Sequence, residues 1–160
     1  MTAAAEGVKS LWKLNLEQNE IWSLDDGNHN LFCSDILPSL SHLYLGNNQL
    51  YNLNFEFECI KKLQLLDVQY NKIKRLSQKT LQRIDRFFKQ PENPDDYIRK
   101  LNLVGNPFVC DCNLRHMFDW LRATTANLYR RDELRCFTGI PEINAGKSIY
   151  MNYTCLRIYN

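Results

Sequence analysis

The sequence predicts an α/β solenoid: a right-handed superhelix with short parallel strands on its concave face, closed by a disulfide-bonded C-terminal cap that contains a helix. Three observations carry this expectation. Among 160 residues, 23 are Leu and 17 are Asn. Leu suits any core, but Asn is a poor helix and strand former that finds its partners mainly in turns. The two residue types recur together at fixed offsets, and four cysteines follow the last recurrence.

The recurring unit is Leu-x-x-Leu-x-Leu-x-x-Asn-x-Leu, the leucine-rich repeat pattern. The first unit is Leu11, Leu14, Leu16, Asn19, Ile21, with Leu24 behind it. The second is Leu40, Leu43, Leu45, Asn48, Leu50, then Leu53, and the third is Leu63, Leu66, Val68, Asn71, Ile73, then Leu76. The fourth is Ile98, Leu101, Leu103, Asn106, Phe108. Within each unit Leu-x-Leu alternates with period two, so its apolar side chains share one face of a short strand. One strand per unit, stacked on the next, makes a parallel sheet. The Asn falls where the chain turns away. Its amide can bond backbone groups in its own turn and in the neighbouring one, so Asn19, Asn48, Asn71 and Asn106 are expected to form a ladder.

The units are unevenly spaced, with 29, 23 and 35 residues between successive ladder Asn residues. In the longest interval, Leu81, Ile84, Phe87 and Phe88 recur at helical spacing, which predicts a short core-filling helix over 80–90. Pro91 and Pro94 in the PENPDD segment then end it and make a loop. After Asn106 the pattern stops. Leu114, Met117, Phe118 and Leu121 stand at i, i+3, i+4 and i+7 and predict an amphipathic helix lying across the last strand, with Asp111 or Asn113 as its N-cap. A solenoid needs such an atypical terminal unit to cover its last leucines. The chain therefore divides into an N-terminal extension or remnant (1–10), four repeats (11–108), a cysteine-rich cap (106–155) and a tail (156–160).

Cys110, Cys112, Cys136 and Cys155 lie in the cap region. Three disulfide pairings are open to four cysteines. A zinc site is the rival, but Cys-x-Cys followed by two single distant cysteines is not the usual pair of Cys-x2-Cys hooks. Cys33 and Cys59 remain, and either a bond between them or two buried thiols fits their positions.

Composition narrows the function. A formal net charge of +2 provides no global field for nucleic acid or an anionic membrane. No run of about 18 apolar residues is available to span a bilayer. His29, His42 and His116 fall in different units, and no Ser-His-Asp, His-Glu-x-x-His, phosphate-loop or paired-carboxylate motif accompanies them. The sequence thus predicts no enzyme, no cofactor and no metal centre. The candidate surface is the outward side of the strands, where Trp12, Lys13, Asn15, His42, Tyr44, Asp67, Gln69, Tyr70, Arg99 and Asn102 are expected to align in columns. Aromatic and Arg residues are the usual interface anchors, which centres the patch on His42, Tyr44, Asp67 and Tyr70. Basic residues between Lys61 and Arg83 offer an edge for an anionic glycan, although solvated charge is their commoner meaning. The first unit leaves a leucine edge open, which predicts self-association there or further repeats upstream.

The segment Asn106–Cys155 resembles the C-terminal cap of extracellular leucine-rich repeat proteins. That family includes Toll-like receptors, Slit-type guidance proteins, neurotrophin receptor kinases and repeat-based lymphocyte receptors. The matching features are Asn106-Pro107, Cys110-Asp111-Cys112, the helix with Trp120-Leu121, Cys136 and Cys155. The resemblance implies the pairs Cys110–Cys136 and Cys112–Cys155, and hence an oxidising, extracellular or secreted setting. The sequon Asn152-Tyr153-Thr154 agrees with glycosylation there. No apolar leader and no N-terminal cysteine cap are visible, so a fragment of a longer ectodomain is expected. By resemblance, the function is recognition of a protein ligand or co-receptor, with innate immunity first. Neuronal guidance or adhesion, and homotypic assembly, are the alternatives.

Overall fold

A computed structural model describes residues 8–24, 31–33, 36–91, 98–111, 114–139 and 145–146. Four three-residue strands, β1 (Lys13–Asn15), β2 (His42–Tyr44), β3 (Leu65–Asp67) and β4 (Lys100–Asn102), form one parallel sheet in sequence order. Leu14, Leu43, Leu66 and Leu101 are paired in register, so the repeat offset in the sequence is the strand register in space. Leu43, Leu66 and Leu101 are fully buried, whereas Leu14, Leu16, Ile21 and Leu24 of the first unit are only partly covered.

The buried amides behind the strands are shared between units. Asn71 donates from Nδ2 to Leu45 O (2.9 Å) and to Val68 O (3.0 Å), and its Oδ1 accepts from Leu50 N (2.9 Å). Asn48 and Asn106 repeat this on their own neighbours, binding Leu16 O and Val68 O respectively and accepting from Ile21 N and Ile73 N. Asn19 is exposed and bonds within its own turn, to Leu16 O and Glu17 O. The residue before each ladder Asn is left-handed: Gln18, Asn47, Tyr70 and Gly105 all have φ between 50° and 72°. Glycine at 105 has a second reason. A Cβ there would lie 2.3 Å from Cδ1 of Tyr70, whose ring covers it.

Helix α1 spans Gln78–Phe88. It begins two residues earlier than the apolar spacing suggests, because Ser77 caps it by accepting from Thr80 N (3.1 Å). Its far end falls at Phe88, where Lys89 turns extended. Leu81, Ile84 and Phe88 are buried among Phe55 and Phe57 on the convex side. Arg83 fastens this helix. Its guanidinium donates to both carboxylate oxygens of Glu58 (2.6 and 2.5 Å) and to Phe55 O (2.7 Å), and lies 4.7 Å from the Phe57 ring. Burial pushes the Glu58 carboxyl up, but the bond from Arg83, a backbone N–H and the charges of Arg83 and Arg86 outweigh it and hold it below its ordinary value.

A carboxyl depressed in the folded state stabilises the fold above its unfolded value and stops doing so as pH falls through the folded one. Glu58→Gln is therefore expected to cost about 2 kcal/mol at pH 7. The gap to the parent should close on acidification below about pH 4, read as melting temperature against pH. A gap constant down to pH 3 would show that the Glu58 charge does not hold the helix.

The cap opens with β5 (Phe108–Cys110), which pairs in parallel with β6 (Cys136–Gly139). Cys110 and Cys136 are bonded across that pair, and both are buried. A second disulfide joins Cys33 to Cys59 on the convex side, between 3-10 turns at Leu31–Cys33 and Phe57–Cys59. This bond resolves the alternative between a disulfide and two thiols. Helix α2 (Arg115–Ala123) buries Met117, Phe118 and Leu121, and His116 Nε2 lies 3.0 Å from Leu76 O. Its N-cap position is Leu114, without a side-chain cap bond. Asp111, expected as a cap, pairs its carboxylate with Arg75. The open edge of β4 is closed by backbone: Leu101 N donates to Asn127 O (3.1 Å) and Tyr129 N to Leu101 O (2.8 Å). His29, Cys112, Asn113, Asn152, Cys155 and most of PENPDD lie outside the described residues.

Candidate binding surface

The strand face is not uniform along the solenoid. At its first two units it carries a packed array of rings and charge. The Trp12 ring meets His42 edge-to-face at 5.6 Å, and His42 lies nearly parallel to Tyr44 at 6.4 Å. The Lys13 ammonium sits 4.9 Å from the centre of the Tyr44 ring. Ser41 ties the two units together, donating from Oγ to Trp12 O (3.0 Å) with His42 Nδ1 2.9 Å from the same hydroxyl. The pairing Lys13↔His42 and Asn15↔Tyr44 sets these side chains next to one another, and Trp12 remains 59% exposed. Asn15 is drawn aside, with Nδ2 donating to Glu17 Oε2 (3.2 Å).

Units three and four differ. Asp67 and Asn102 are buried, not presented, and Asn102 Nδ2 donates to Asp67 Oδ2 (3.1 Å). Burial pushes the Asp67 carboxyl up, more than the bonds from the Gln69 N–H and Asn102 bring it down. Adjacent short polar side chains in stacked strands satisfy one another, and so are lost to a ligand. Gln69 is half-buried, its Cγ close to Gly46. Arg99 is turned off the strand face altogether. Its guanidinium lies 4.8 Å from the Phe87 ring of α1 and reaches Lys61 O (3.4 Å). Tyr70 stands in the left-handed turn after β3, with its ring on Gly105, and belongs to the flank. Of the expected centre, His42 and Tyr44 thus stand in the array with Trp12 and Lys13, while Asp67 is buried and Tyr70 lies on the flank.

The basic stretch is dispersed as well. Arg83 is buried on Glu58 and Arg75 pairs with Asp111. Lys61 and Lys62 precede β3 while Lys72 and Lys74 follow it, so the strand separates the two pairs. What sequence reasoning missed is aromatic. Trp22 and Tyr51, each three residues past a ladder Asn, stack at 6.4 Å with planes 7° apart, and Phe137 of β6 is 70% exposed. Equal offset from the Asn was the signal for the first two. Among the described residues, no group of three His, Cys, Asp or Glu side chains can hold a metal ion, and no helix is long and apolar enough to cross a membrane.

No family model matches the chain. It is similar to a phospholipase A2 inhibitor from Gloydius brevicaudus siniticus, 29% identical over 99 residues, 62% of this chain and 26% of that protein. It is 33% identical over 101 residues to trophoblast glycoprotein from Macaca fascicularis, covering 62% of this chain and 22% of that one. Its fold matches the crystal structure of human 5T4 (Wnt-activated inhibitory factor 1, trophoblast glycoprotein) at a TM-score of 0.74 and 27% identity, over 94% of this chain and 47% of that one. The chain spans about a quarter of the length of these curated relatives and under half of that solved chain. With its parallel strands and disulfides, it is a leucine-rich repeat solenoid of the extracellular kind.

Proposed function

We propose that this extracellular leucine-rich repeat domain is a non-catalytic recognition module that binds a protein ligand or co-receptor through the strand face of its first two units. The observation that supports this reading most is the Trp12–His42–Tyr44–Lys13 array. Its members hold one another in place before any ligand arrives, so little side-chain freedom is left to lose on binding. Binding hot spots are rich in Trp and Tyr, and here an exposed Trp12 stands in one array with a half-buried Tyr44. A relative whose name marks it as an inhibitor of an enzyme is an instance of the same architecture acting on a protein. Resemblance to Toll-like ectodomains puts immune recognition first as the setting, with guidance or adhesion, which use the same kind of cap, next. No cofactor enters this reading. The anionic-glycan alternative is weakened by the pairing of Arg75 and Arg83.

The test is a screen of secreted proteins against the oxidised chain, followed by the double variant Trp12→Ala, Tyr44→Ala. Binding should fall by about 2–4 kcal/mol, roughly thirtyfold or more, with the melting temperature unchanged. Binding of the selected partner at full strength by the double variant would refute the assignment to this face.

A further inference from the structure

A second surface runs along the flank where the chain leaves the strands. The residue three past each ladder Asn is Trp22, Tyr51, Lys74 and Val109 in successive units. Backbone bonds keep these segments side by side: Gln49 N donates to Ile21 O, Lys72 N to Leu50 O, and Val109 N to Lys74 O. Phe137 continues the line into the cap. It stands at a break in the β5–β6 register, where Phe108 pairs with Cys136 and Val109 with Thr138, so Phe137 is the extra residue of a bulge. Bulges re-aim side chains and are found beside functional sites. Here the bulge coincides with a Phe that is 70% exposed, where burial would be its normal state.

Between Tyr70, Lys72, Lys74, Val109 and Phe137 lies a depression of about 510 Å³. Gly105 forms part of its lining, with the Tyr70 ring against it. Among the described residues, two ammonium groups and no carboxylate line the depression. Among the described residues neither Lys72 nor Lys74 has an ion-pair partner, and the nearby Asp111 is engaged by Arg75. Stacked strands are about 4.8 Å apart, so the five positions from Trp22 to Phe137 cover about 20 Å, the reach of some six extended residues.

We propose that this flank is a second protein-binding site, and that its occupant is an extended acidic segment of a partner. An apolar side chain of that segment enters the depression by Phe137, and its carboxylates meet Lys72 and Lys74. Charge complementarity selects this occupant, because the apolar floor alone is indifferent to sign while the lysine rim is not.

Labelled nonapeptides of Asp and Glu around a central Phe serve as probes, against counterparts with Lys in place of the acids and with Gly in place of Phe. The oxidised full chain should bind the acidic Phe peptide at least tenfold more tightly than either counterpart, in a salt-dependent manner. Lys72→Glu with Lys74→Glu, and Phe137→Ser separately, should each weaken it tenfold or more. Trp12→Ala with Tyr44→Ala should leave it unchanged, which separates this site from the strand face. Trp12, Lys72, Lys74 and Phe137 are exposed and Tyr44 is half-buried, and melting temperature checks that every variant folds. Equal binding of acidic and basic peptides, or loss through the Trp12 and Tyr44 variant, would overturn the proposal. So would binding of heparin and of the Gly peptide as tight as the acidic Phe peptide, which marks a general polyanion site. Dimers in sedimentation that Phe137→Ser dissolves, without peptide binding, would make a second copy of the chain the occupant.

Discussion

Replacing Asn71 by Ala is expected to destabilise the chain by about 2–4 kcal/mol, a large effect for a single polar side chain. The amide is buried and serves two units at once. Its loss leaves Leu50 N without its acceptor in a place water does not reach, and takes from Leu45 O and Val68 O one of their two donors, Asn48 and Asn106 remaining. Each buried group left unpaired costs about 1–3 kcal/mol. Asn71→Asp isolates the donor half: it keeps an acceptor for Leu50 N but removes the bonds from Nδ2 to Leu45 O, Val68 O and Gln69 O and adds a buried charge. Asn19→Ala is the internal control, since that side chain is exposed and, among the described residues, bonds only within its own turn. A loss of about 1 kcal/mol or less is expected there. Urea midpoints at equal m-value compare the three. Equal losses at Asn19 and Asn71 would mean that bridging between units contributes nothing.

The second large effect belongs to the Cys110–Cys136 bond. Its partners are 26 residues apart, which in the loop-closure picture is worth about 3.5 kcal/mol. Changing both to Ser should lower the melting temperature by about 10 °C. The cap should be the part that loosens, because the bond joins β5 to β6. The Cys33–Cys59 bond has the same separation of 26, so the same loop-closure value, but Cys33 is exposed while Cys110 and Cys136 are buried. Access of the attacking thiolate differs accordingly. Graded reduction followed by mass mapping of the alkylated thiols should find Cys33 and Cys59 opened first, with Cys110 and Cys136 following at higher reductant or on unfolding. The reverse order would contradict the burial of the cap bond.

The architecture was legible because its determinants are local and repeat. Leu43, Leu66 and Leu101 occupy one offset, and an offset repeated in the chain becomes a register in the sheet. The helix α1 was legible from Leu81, Ile84 and Phe88, except for the start that Ser77 decides through one hydroxyl. The binding surface was less legible, for a definite reason. Alternation tells which way a Cβ points, not where the end of a side chain comes to rest. Arg99 leaves the strand face because Phe87, twelve residues earlier and on another element, offers a ring to lie on. Asp67 and Asn102 are lost to each other because stacking brings them together, although 35 residues separate them. Tyr70 departs through its left-handed backbone, which nothing in its identity announces. Trp12, Lys13, His42 and Tyr44 are the positions where pattern and final placement agree, since each finds its contacts among neighbours in the same two strands.

The two disulfides also set how the domain would respond to a pull between its ends. Each withholds 26 residues from extension, about 90 Å of contour at some 3.5 Å per residue. One shortcut lies in the first two units and the other between the fourth unit and the cap. The stretch between them, from Cys59 to Cys110, holds β3, helix α1 and β4 and carries no such clasp among the described cysteines. Under tension the middle of the solenoid is the part able to pay out chain, while its first units and its cap remain covalently gathered.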